Sequence, residues 1–62
     1  MNKIEIYRKE QRRYARVAGR WKLMADNTTD IEKKFAYQDL QFHYGIKAMA
    51  AQALMQMEIG LI

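Results

Sequence analysis

The chain has one place to turn. None of its 62 residues is proline, the residue that most reliably breaks a helix. The one cluster that competes with helical hydrogen bonding is Asp26, Asn27, Thr28, Thr29 and Asp30, whose short polar side chains bind nearby backbone instead. On both sides the sequence is rich in Ala, Met, Leu, Lys, Arg, Glu and Gln, the strong helix formers. These features predict an all-α chain with a single domain over residues 1–62, folded as a two-helix antiparallel hairpin. Helix 1 is expected over about 3–26, the turn over 27–29 and helix 2 over about 30–59. Thr29 with Glu32 spells a capping box ahead of Ile31. Asn27 suits the left-handed conformation that ends many helices.

Helix 1 carries a seven-residue beat. Tyr7, Tyr14 and Trp21 fall on one line, with Val17, Ala18, Met24 and Ala25 beside it, which makes one apolar stripe. Arg8, Arg12, Arg16 and Arg20 stand four apart on the other side, with Lys9 and Arg13 next to them. Helix 2 is apolar twice over. Ile31, Phe35, Phe42, Ile46, Met49 and Ala53 form a stripe expected to pack on helix 1. Tyr37, Leu40, Tyr44, Ala48, Ala51 and Met55 form a second stripe roughly opposite, expected to mediate self-association. A helix apolar on two sides needs cover on both, so the hairpin is expected to dimerise into a four-helix bundle. Gly45 weakens helix 2 by about 1 kcal/mol, and a break there would give three helices. Phe35, Phe42 and Met49 keep their phase across it, which favours one continuous helix.

A chain of this size buries only about 60% of its unfolded surface, and it has no cysteine to staple it. A second copy or a partner is the remaining source of stability. The first residues contain no run of about 7–15 apolar residues of the kind signal peptides use. The longest uncharged stretch, residues 48–57, is half of the ~20 needed to span a bilayer. A cytoplasmic location and no membrane partner are therefore expected.

The chemistry of catalysis is sparse. Without serine or cysteine, nucleophilic arrangements of Ser–His or Cys–His type are excluded. Gly19, Gly45 and Gly60 are isolated, so no glycine-rich phosphate loop exists. His43 is the one histidine, four residues after Asp39; this spacing reads as an Asp–His pair at the edge of a core, not as a metal site. No enzyme activity, cofactor, metal or small-molecule substrate is expected. Gln38, Asp39, Leu40, Gln41 and Phe42 resemble in part the pentapeptides by which bacterial replication proteins bind their sliding clamp. Those bind extended, with a hydrophobic residue where Gln41 stands, and Phe42 is claimed by the helix-2 stripe.

Charge is the remaining functional signal. Residues 1–22 hold eight basic and two acidic side chains, a net +6, while residues 23–62 hold three and five, a net −2. Arg8, Arg12, Arg13, Arg16 and Arg20 are the candidate partner-binding residues, spread over about 18 Å of helix. Arginine's planar fork suits carboxylates and phosphates alike. The ladder reads as a solvated face, a grip on an acidic protein surface, or a grip on DNA or RNA phosphates. No aromatic residue shares the ladder's face, Tyr14 belonging to the apolar stripe, so base stacking from that face is not indicated. A membrane role would need the aromatic stripe for lipid and core at once. The function expected is that of a small regulatory adaptor: a homodimer that binds another protein and modulates it. The alternatives are direct nucleic-acid binding through the ladder and a structural subunit of a larger assembly.

Overall fold

The computed structural model describes residues 2–61; Met1 and Ile62, the ends of the expected domain, lie outside the described residues. Two helices account for almost all of them, α1 (Lys3–Asn27) and α2 (Ile31–Gly60), joined by three residues. The result is a rod of 48 × 15 × 11 Å. No strand occurs among the described residues.

The caps explain where each helix begins. Asn2, in extended conformation, accepts a hydrogen bond from the Glu5 amide at 2.9 Å, satisfying one of the first-turn donors that have no helical partner. Glu5 adds a negative charge to the positive end of α1. At the turn, Thr28 Oγ1 accepts from the Asp30 amide at 3.3 Å. Asp30 Oδ1 accepts from the Lys33 amide at 3.2 Å.

Two expectations about the turn fail. The N-cap is Asp30, one residue beyond the expected Thr29, because aspartate is the stronger cap and adds a favourable charge. Asn27 ends α1 in helical conformation with Thr28 extended after it, and no described residue has a positive φ. The chain reverses through extended Thr28 and Asp30 without a left-handed residue. At Gly45, α2 runs straight through, so the three-helix alternative does not occur.

The contact between the helices also departs from expectation. The stripe of α2 that meets α1 is the one containing Tyr37, Leu40, Tyr44, Ala48, Ala51 and Met55, all of them buried or half-buried. Trp21 stacks on Tyr37 with ring centroids 5.6 Å apart, and Tyr14 on Tyr44 at 6.3 Å. The two pairs lie seven residues apart on each helix, and the same register brings Tyr7 opposite Ala51. The residues expected to pack on α1 point away: Phe42 is 71% exposed, Met49 70% and Phe35 62%, while Ile31, Ile46 and Ala53 are exposed as well. The stripe that meets α1 is therefore not the expected one. Fit is the physical reason. Tyr37 and Tyr44 lay their rings on Trp21 and Tyr14, and the small Ala48 and Ala51, among the most buried side chains, let the helices close beyond the stacked pairs.

Along α1 the inward positions are Ile4, Tyr7, Gln11, Tyr14, Ala18, Trp21 and Ala25, alternating by three and four. Along α2 they run Tyr37, Gln41, Tyr44, Ala48, Ala51, Met55 and Glu58 in the same alternation. This is the seam of a two-stranded coiled coil. The seam is thin: no large side chain among the described residues is fully buried. Lys47 lies across it, its Nζ 5.6 Å from the Tyr14 ring and 5.5 Å from the Tyr44 ring, within cation–π range. Lys3 and Glu58 approach to 3.9 Å at the open end, an exposed pair worth about 0–1 kcal/mol.

Candidate binding surfaces

Two surfaces are left after the seam forms, and they lie on opposite edges of the rod. The first is on α1. A helix that turns Tyr7, Tyr14 and Trp21 inward must turn Arg12 and Arg16 outward, because these stand about half a turn away. Arg8, Arg12, Arg13, Arg16 and Arg20 are all exposed. None of the five forms an ion pair or hydrogen bond within the described residues. The acidic residues of the same helix, Glu5, Glu10 and Asp26, lie before, beside and beyond the ladder and leave it unneutralised.

The second surface is the outward stripe of α2, running from Ile31 through Phe35, Phe42, Ile46 and Met49 to Ala53. A groove of about 390 Å³ opens in it, lined by Gln38, Gln41, Phe42, Gly45, Ile46 and Met49. A smaller one continues along Met49, Gln52, Ala53 and Gln56. Gly45 is what deepens the first groove, for a Cβ built there meets nothing within 4 Å. The lining of both grooves is uncharged, with glutamines at the margins and apolar side chains between.

The residues expected to mediate self-association, Tyr37, Leu40, Tyr44, Ala48, Ala51 and Met55, face α1 in this hairpin, so they do not form an outward surface. His43 packs edge-on against Tyr44 with centroids 5.7 Å apart, and no hydrogen bond or ion pair joins it to Asp39. Among the described residues no group of three or more His, Cys, Asp or Glu is placed to hold a metal ion. Residues 38–42 are helical, with Leu40 turned toward α1 and Phe42 away. In that form they do not present an extended pentapeptide. No helix among the described residues is long and apolar enough to cross a membrane.

Sequence reasoning missed Asn2 as a cap, the place of Lys47 over two tyrosine rings, and the seam glutamines Gln11 and Gln41. The alternation by three and four was the available signal for the glutamines. Reading polar residues out of the stripe hid it. Comparison with known proteins finds no matching family model, no matching curated protein and no matching solved structure.

Proposed function

We propose that this chain is a small, non-enzymatic adaptor that joins with a second copy into a four-helix assembly and grips an acidic protein surface through α1, modulating that partner. The observation that carries this reading is the unneutralised arginine ladder. Arg8, Arg12, Arg16 and Arg20 stand four apart, a helical spacing at which side chains meet, and like charges so placed destabilise a helix. A helix kept only for its own stability would alternate them with glutamate. The spacing of about 6 Å per step also matches carboxylates four residues apart on a partner helix, and each guanidinium can take a carboxylate with two hydrogen bonds. The same arginines suit phosphates, so nucleic-acid binding is the competing reading.

The test pairs two measurements on the purified protein and its Arg12→Gln/Arg16→Gln variant. A tagged bait recovers partners from native-host cells, and the recovered protein is then made recombinantly and titrated directly. Gel shifts with unrelated DNA and RNA run beside it. An acidic protein bound at least ten-fold more weakly by the variant supports the adaptor. A shift of every nucleic acid, abolished in the variant, with no direct protein partner, replaces it with the phosphate reading. Equal binding by variant and parent removes the ladder from function.

A further inference from the structure

The outward stripe of α2 is a large apolar surface on a thin hairpin, and its chemistry identifies what covers it. We infer that it seats α2 of a second copy of this chain, with Phe42 of each copy lodged in the groove over Gly45 of the other, so that the four helices lie in a row. This rests on the dimer proposed above and deepens it by naming the interface and its geometry.

Three observations point to a second copy. The first is area. Ile31, Phe35, Phe42, Ile46, Met49 and Met57 are each about half to seven-tenths exposed. The two phenylalanines, at roughly 150–250 Å² for a whole aromatic side chain, and the four smaller aliphatic side chains together offer on the order of 700 Å² per copy, close to the ~800 Å² per partner of a stable interface. The second is self-complementarity. A two-fold interface needs a patch that carries both projection and recess. Here Phe42 projects, 71% exposed, at the rim of the recess that Gly45 opens. The third is charge. The groove lining holds no ionisable group, so two grooves meet without like charges between them, whereas the α1 ladders would repel each other.

The row follows from where the stripes lie. The seam with α1 and the outward stripe are on opposite sides of α2, so the order across the assembly is α1, α2, α2 of the partner, α1 of the partner. A closed bundle needs the two stripes of a helix about a quarter-turn apart, and these are about half a turn apart. With neighbouring axes about 8–10 Å apart, the two α1 helices stand about 27 Å from each other. Their arginine ladders face outward in opposite directions.

The test uses the full chain, whose lack of cysteine makes single-cysteine variants clean probes. Sedimentation equilibrium at micromolar concentration should give about twice the 7.4 kDa chain mass. A monomer across that range overturns both this interface and the dimer it rests on. Ile46→Cys should be cross-linked to dimer by a short bis-maleimide and Arg12→Cys should not. Cross-linking through position 12 and not 46 overturns the interface while leaving a dimer of another kind. Gly45→Gln fills the groove with a good helix former whose Cβ meets nothing in its own hairpin. It should weaken dimerisation at least ten-fold without loss of helical circular dichroism at high concentration, and unchanged dimerisation overturns the Phe42–Gly45 contact.

Discussion

Phe42 and Tyr44 are two residues apart on α2 and face opposite ways, so together they separate the stability of the hairpin from that of its association. Tyr44→Ala removes the stack on Tyr14 and one of the two rings under Lys47. The cost should be about 2 kcal/mol, below the ~3–5 kcal/mol of a fully buried ring because Tyr44 is half-buried. Phe42→Ala removes a ring that the hairpin leaves in solvent, and should change the isolated hairpin by less than about 0.5 kcal/mol. Urea titrations at two protein concentrations distinguish them, since association makes the midpoint depend on concentration. Phe42→Ala should abolish that dependence, and Tyr44→Ala should keep it at a lower midpoint. A Tyr44→Ala protein as stable as its parent would refute the seam. The residue scale is also where sequence was least legible. Both stripes of α2 repeat in sevens, Tyr37, Tyr44 and Ala51 on one side and Phe35, Phe42 and Met49 on the other. Hydrophobicity favours the second, and steric fit against Tyr7, Tyr14 and Trp21 selects the first. Period and hydropathy carry no information about which ring meets which methyl group.

At the scale of the helices, legibility was high for the same physical reason that it was low for side chains. Helix and turn are decided locally, by propensity and by caps, and locality is what a sequence displays. Two helices either side of one polar cluster follow from the absence of proline and the composition alone. The cap itself was displaced by a residue, because Thr29 and Asp30 are both competent and the stronger, charged Asp30 takes the position. Asp30→Ala should therefore cost about 1 kcal/mol by loss of the bond to the Lys33 amide, while Thr29→Ala should change stability by less than about 0.5 kcal/mol. Equal effects in urea denaturation would mean that the capping box ahead of Ile31 is used after all. Gly45 shows the opposite tendency. Its Cβ position is open and its helix unbroken, so no contact within the hairpin explains a residue that weakens the helix by about 1 kcal/mol. In the interface proposed above, that glycine would open the recess that receives Phe42 of the second copy.

At the scale of the whole molecule, the arrangement of charge around the proposed row makes a quantitative demand on any anionic partner. In that row each ladder would occupy an outer edge, the two facing away from each other, so a straight duplex would reach only one of them. If the arginines bind phosphates, the slope of log K against log salt should fall by about 0.9 for each phosphate that is no longer neutralised. Arg12→Gln/Arg16→Gln then lowers it by about 1.8 per duplex, not by twice that, even though the dimer gives up four arginines. The dimer should also carry two duplexes at saturation, visible as a second, slower band in a gel shift. If the ladders grip an acidic protein, the same variant leaves the weak nucleic-acid background little altered and lowers affinity for that protein, two copies of which should bind one dimer. In either case removing like-charge neighbours four apart relieves repulsion within α1, so the variant should be no less stable than the parent in urea. A variant that loses binding and stability together would mean that Arg12 and Arg16 hold the hairpin itself, and the ladder would then be a structural element.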